Sequence, residues 1–346
     1  MQRRTVLKWL GAAALAPSVM ARILSAADLP GRMHWTWSSV AAGDSTDDLK
    51  RRFAEIRAAG IGGVLLGGAS ANACRLAREE GLIVHAWTWT MCRGGDDLLQ
   101  GHPDWFVVSR DGRSAADHPP YVPYYHFLCP SRPEVRQYLR REFASVAAIE
   151  GLTGVHLDYI RFPDVILPRA LWEKYGLVQD EELPSFDFCY CEVCRERFRD
   201  LTGQDPLDLP DPPGDPDWRR FRWRAIDGVV EELCSVIRSA GLQSSAAVFP
   251  SPSIARRLVR QDWAGWPLDA VFPMVYHSFY EETPAWIEPT VREGVRALPP
   301  YRPLYAGLYL PALATEADFE QAVAGALAGG AQGVALFGGV RDLAGR

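Results

Sequence analysis

Eight short apolar runs, most of them separated by segments of helical periodicity, recur along this chain, and few architectures can bury such a rhythm. The first run spans residues 33–37. A helix is predicted over 46–59, capped by Ser45 or Thr46 and stopped by Gly60. Runs at 61–66, 82–90 and one opening at Gly154 and closed by Pro163 follow, with helices expected over 71–80 and 133–149, the latter carrying Pro133 in its first turn. A long helix at 218–240 leads to the fifth run, 244–249, and a short helical stretch at 254–259. Runs at 268–276, 304–310 and 333–337 complete the set, with helices over 283–298 and 316–328. Eight strands alternating with helices over about 300 residues predict an α/β fold, the (β/α)8 TIM barrel. A doubly wound open sheet is the alternative, but it has fewer strands as a rule and a glycine-rich phosphate turn, and no GxGxxG follows any run here. Few residues follow the eighth run, so the closing helix is expected to be missing or very short.

Residues 1–27 read as a separate unit. Arg3 and Arg4 begin a basic start, residues 9–16 are apolar, and Val19-Met20-Ala21 or Ser25-Ala26-Ala27 offers small residues for cleavage. Paired arginines before Val6-Leu7-Lys8 resemble a twin-arginine export signal, with an ordinary secretory leader as the alternative. Either predicts an exported protein, periplasmic or secreted, whose body is residues 28–346. The whole chain carries a formal charge of -6, and the first 27 positions hold basic residues and no acid, so the body is more acidic still. That balance excludes nucleic acid and anionic lipid as expected partners and suits a neutral or cationic substrate. No later stretch has the length of an apolar membrane span, so no membrane contact is expected after cleavage.

Two segments are too long to be simple connections: 91–130, after the third run, and the insertion 164–217, after the fourth. Both leave strand C-termini, the end where a barrel builds its site, and both are expected to wall a cleft.

The fourth run delivers the most suggestive group. In Gly154-Val155-His156-Leu157-Asp158-Tyr159-Ile160-Arg161-Phe162-Pro163, alternation puts His156 and Asp158 on one face, with Asp158 at the strand tip. A carboxylate there is costly to bury unless it is paired or useful. The bland alternative is a carboxylate tied down by Arg161 or a neighbouring amide. Trp35 and Trp37 share one face of the first run, and His85, Trp87 and Trp89 one face of the third. That is more indole than a barrel interior usually takes, and aromatic faces beside His, Asp and Arg suit the C–H faces and hydroxyls of a sugar. Simple barrel filling is the competing explanation. The sixth run ends in Tyr276 and His277, expected at the mouth, with Glu281 and Glu282 just beyond. Glycoside hydrolysis needs two carboxyl groups. Asp158 is the first choice for nucleophile or electrostatic stabiliser, and Glu281 for its partner, although both glutamates could simply favour the start of the next helix. Asp104, Asp117 and Asp164 are held in reserve.

Cys189, Cys191 and Cys194 form a CxCxxC cluster in the insertion. Three thiolates at this spacing can face a structural zinc whose fourth ligand comes from elsewhere, Cys129, Cys92 or a histidine. Export favours disulfides instead, and seven cysteines leave one unpaired. No catalytic cofactor is expected.

Several of these elements together resemble the glycoside-hydrolase-like family ten proteins, (β/α)8 barrels of bacterial envelopes. The resemblance rests on the stretch from Gly154 to Pro163, on Val84-His85-Ala86-Trp87, on Cys129-Pro130-Ser131-Arg132-Pro133-Glu134-Val135-Arg136 and on Pro273-Met274-Val275-Tyr276, and it spans nearly the whole body. It implies that Asp158 is the catalytic acidic residue and that His85, Trp87 and Tyr276 line the sugar site. Members often have asparagine at the position of Cys129 and a second acid at that of Tyr159. The expectation is an exported glycoside hydrolase acting on a polysaccharide or cell-envelope glycan. Two alternatives stand beside it: a barrel that binds carbohydrate without turnover, and a metal-dependent polysaccharide deacetylase. The last is weakened because His34 has no partner histidine in its run and His156-Leu157-Asp158 alone cannot hold a catalytic metal.

Overall fold

The computed structural model of the 346-residue chain describes residues 17–26 and 32–338. Its elements run α1 (Pro17–Ala26), β1 (Trp35–Ser39), α2 (Thr46–Ala58), β2 (Gly63–Gly67), α3 (Ala71–Glu79), β3 (Ile83–Trp89), α4 (Asp96–Gly101), α5 (Pro133–Ala147), β4 (Gly154–Asp158), α6 (Trp172–Tyr175), α7 (Glu192–Thr202), α8 (Pro216–Ser239), β5 (Gln243–Val248), α9 (Pro252–Val259), β6 (Ala270–Pro273), α10 (Ile287–Ala297), β7 (Tyr305–Tyr309), α11 (Glu316–Ala328) and β8 (Gly333–Phe337). All eight strands are parallel, in the order β6-β5-β4-β3-β2-β1-β8-β7. Parallel bridges Val271 to Leu304 and Met274 to Gly307 draw the two ends together, so the sheet closes as the (β/α)8 barrel that the alternation predicts.

Local chemistry explains where the helices begin. Ser45 and Asp48 form a reciprocal capping box at α2, Thr315 and Asp318 do the same at α11, and Asp215 accepts the Trp218 amide at the head of α8. The barrel interior is filled by alternate residues of each strand, large against small. Trp35 faces Gly63 in register, and a Cβ at that glycine would stand 2.3 Å from the indole. His85 likewise faces Gly154, where a Cβ would fall 2.6 Å from the imidazole. These two glycines are what allow bulky rings into the floor.

Two local expectations are corrected. The sixth strand stops at Pro273, because the Val275 amide pairs with Gly307 and the chain then turns into a 3-10 segment, His277–Tyr280. The helix after it starts at Ile287, behind a separate 3-10 turn, Pro284–Trp286. Part of the expected leader, residues 17–26, is α1 and packs against α2 and α11; the basic start, the apolar run and Ala27 lie outside the described residues, as does the chain end after β8. Among the described residues, no helix is long and apolar enough to cross a membrane.

Candidate active site

The strand tips open into a mouth where Asp158 is half-buried. Its two oxygens are held separately: Oδ2 accepts from the Trp87 indole at 2.8 Å and Oδ1 from the Tyr159 amide at 2.7 Å. Burial pushes its pKa above the ordinary aspartate value, opposed by those two hydrogen bonds and by Arg161. Tyr159 follows in the left-handed region, at φ 49, which costs a non-glycine residue about 1 kcal/mol or more. The turn swings its ring back toward β3, where it lies 4.7 Å from Trp89.

Aromatic rings wall Asp158 on two sides. On one side Trp89, in register with Asp158, stands 5.9 Å from Tyr124, and these are two of the most exposed aromatic rings among the described residues, at 40% and 41%. On the other, Tyr276 stacks on Phe337 at 5.6 Å and 10°, and Tyr309 and Phe279 pack beside them. The negative charge of Asp158 is felt by Tyr276, Tyr159 and Cys92, and each of these is held in its protonated form chiefly by burial.

Depth along the barrel axis separates the residues that alternation groups together. Trp87 and Trp89 are at the mouth, and Tyr276, 7% exposed, forms part of its wall. Trp35, His85 and His156 are deep, and Trp37 is nearly so, which corrects the expectation that they line the sugar site. Trp35 meets His85, Phe272 and Tyr305 edge-on. Trp37 donates to His156 Nε2 at 3.3 Å, which leaves the proton of that imidazole on Nδ1, where it faces Ser245 Oγ at 2.9 Å. The same hydroxyl meets His85 Nδ1 at 2.9 Å. Burial lowers both imidazoles, His85 to about 4 and His156 well below its ordinary value, so the floor is a neutral hydrogen-bonded layer.

Arg161 is corrected too. It is buried, pairs with Asp164 at 2.9 Å, and its guanidinium lies against Tyr125, Phe127, Tyr159 and Phe249, so it props the loops rather than facing the mouth. This removes Asp164 from reserve as well. Glu281 is exposed and 3.5 Å from Arg169, at the left-handed end of the 3-10 segment, and His277 is buried at that segment's start. Asp104 pairs with Arg132 at the surface and Asp117 is exposed. His34 receives the Val334 amide at the far end of the barrel, away from Asp158.

The two long segments are knitted into one wall. Ser109 bridges to Phe188, the Tyr190 amide donates to the Val108 carbonyl at 2.7 Å, and Tyr121 stacks on Phe186 at 4.4 Å while its hydroxyl donates to the Asp164 carbonyl. Beneath them Asp187 is buried between Arg222 and Tyr190; burial alone would raise its pKa, but Arg222 and Arg260 hold it below the usual carboxylate range. At the centre, Cys129 from the first segment meets Cys189, Cys191 and Cys194 from the second. All four thiols are buried, all four Sγ atoms lie within 4.8 Å of one another, and Cys129 is 3.6 and 3.5 Å from Cys191 and Cys194. A tetrahedron with zinc–sulfur bonds of about 2.3 Å has edges of roughly 3.8 Å. All seven cysteines are free thiols in the structure.

Ring walls formed by Tyr124, Tyr159, Tyr309 and Phe337 were not singled out in the sequence. Tyr309 and Phe337 could have been found, because each ends its strand on the inward face.

No family profile matches the chain, and no curated protein sequence does either. Solved structures do. The catalytic domain of a β-amylase from Paenibacillus polymyxa matches with a TM-score of 0.58 at 12% identity, covering 88% of this chain and 91% of that one. The PgaB (BpsB) glycoside hydrolase domain from Bordetella bronchiseptica matches with a TM-score of 0.56 at 13% identity, covering 89% and 94%. A cold-adapted β-galactosidase from Rahnella sp. R3 reaches 0.59 at 15% identity over 94% of this chain and 52% of that one, so the chain spans about half the length of that enzyme. The chain therefore shares the (β/α)8 barrel fold of these enzymes.

Proposed function

We propose that the protein is an exported glycoside hydrolase acting on a polysaccharide or cell-envelope glycan, with Asp158 as its central carboxyl group. The observation that carries this reading is one carboxyl of raised proton affinity, half-buried at the barrel mouth between two walls of aromatic rings. Rings at that spacing offer faces to sugar C–H groups, and the likeness to glycoside hydrolase barrels agrees with it. In this reading Asp158 is the general acid: it gives its proton to the glycosidic oxygen as the bond to the anomeric carbon breaks, and water adds to that carbon, its surplus proton returning to the Asp158 carboxylate. Trp87 and the Tyr159 amide orient the group, and Trp89 and Tyr124 supply the stacking surface.

Asp158→Asn should cut the release of reducing ends from a glycan panel by about 10²-fold or more while the protein remains folded. Undiminished turnover would remove Asp158 from the reaction. Binding without turnover is the second reading, favoured by the surface pairing of Glu281 with Arg169, which takes the expected partner carboxylate out of the mouth. Calorimetric binding of an oligosaccharide that no preparation cleaves would select it.

We also propose a structural zinc on Cys129, Cys189, Cys191 and Cys194. The support is a buried set of four thiols with near-tetrahedral spacing. Its task is to hold the two long segments together, and it takes no part in the reaction.

A further inference from the structure

In a (β/α)8 barrel the helix after β8 lies between the helix after β1 and the helix before β8. Those neighbours here are α2 and α11, and α1 packs against both. Its sequence is built for that position. Met20, Ile23 and Leu24, spaced i, i+3 and i+4, are 0%, 7% and 0% exposed and belong to the same buried cluster as Phe53 and Ile56 of α2 and Phe319 and Val323 of α11. Ser18, Arg22 and Ser25 face outward, and Arg22 pairs with Glu316 while lying 3.9 Å from Glu320, both on α11. Leu24 sits over the turn that ends α2, where a Cβ at Gly60 would meet it at 3.6 Å.

A leader that is discarded needs small residues before its cut, not one apolar face matched to a groove of the mature domain. We infer that residues 17–26 are the closing helix of the barrel, retained in the folded protein, and that the α2–α11 groove is their binding surface. Val19-Met20-Ala21 and the Ser25-Ala26 part of the second small-residue stretch then lie within a docked helix. A peptidase reaches them only after the helix undocks, so trimming of the folded protein falls before Pro17. The inference is independent of the sugar chemistry and stands or falls separately from it.

The test uses the full chain. Intact mass and N-terminal sequencing of protein recovered from a bacterial host should give a product that still contains residues 17–26. Amides of residues 20–26 should exchange with deuterium at least about tenfold more slowly than an unstructured peptide. Leu24→Asp should lower Tm by roughly 5 °C or more and speed that exchange, whereas Ser25→Asp, on the outer face, should leave both within error. If Leu24→Asp does not fold, exchange protection in the unmodified chain decides the matter. A stable product beginning at Arg22 or Asp28, or unprotected amides over 20–26, overturns the inference.

Discussion

Asp158 and Trp87 are a pair in which each side chain determines what the other can do. The indole N–H steadies the charged carboxylate and so draws its pKa down, against the upward push of burial. Trp87→Phe keeps a ring and removes that donor. The alkaline limb of a pH–rate profile should therefore move to higher pH in this variant; a limb that stays in place would assign it to another group. Below the mouth, His85 and His156 make a prediction about stability. Their folded-state pKa values are depressed, so the contribution of the neutral layer is complete above the ordinary histidine pKa of 6.5 and is lost as pH falls from there toward about 4. For His85 alone this amounts to about 3 kcal/mol. Asp158, with its raised pKa, works the other way, since acid relieves the cost of burying its charge. Urea unfolding at pH 7 and pH 4.5 should show the chain weakened at the lower pH, with a smaller loss in His85→Gln; equal losses would mean that the imidazole is not the origin. Period-2 alternation was enough to assign these residues to the inward face, but it carries no information about depth. Trp35 and Trp89 both point inward from their strands, yet one is floor and the other a platform.

Among the elements, the strands were legible because each is a short apolar run between turn signals, and β4 opens the stretch from Gly154 to Pro163 where a buried strand was expected. Less visible was the end of β6, which depends on a partner strand at Gly307 rather than on anything local. Loop geometry was hidden for the same reason. The CxCxxC spacing marks three thiols on one turn, but Cys129 lies 62 residues from Cys191 in sequence and joins them only because the Ser109–Phe188 bridge brings the two segments together. Metal analysis of protein purified without chelator should find one zinc per chain, and Cys129→Ser should lower its retention and speed proteolysis of both segments. Zinc-free protein with few titratable thiols would point to disulfides instead.

For the molecule as a whole, eight strand–helix repeats without a glycine-rich phosphate turn favoured a closed parallel barrel over a doubly wound open sheet, and the barrel is what forms. Closure is uneven, however. Between β6 and β7 the sheet is joined through two bridges, with the Val271 and Val275 amides donating to Pro303 and Gly307. Hydrogen exchange should be faster at those two amides than at Leu65 and Leu66 in the continuous β2–β3 ladder; the reverse order would show the barrel to be equally strong all round. The four thiols bear on how the barrel's open end can move. A zinc held by them would fasten one jaw of the cleft into a single body, so that displacing either segment drags the other along and differences in gape fall to the facing jaw of Tyr276, Phe279 and Tyr309, which borders the weaker seam.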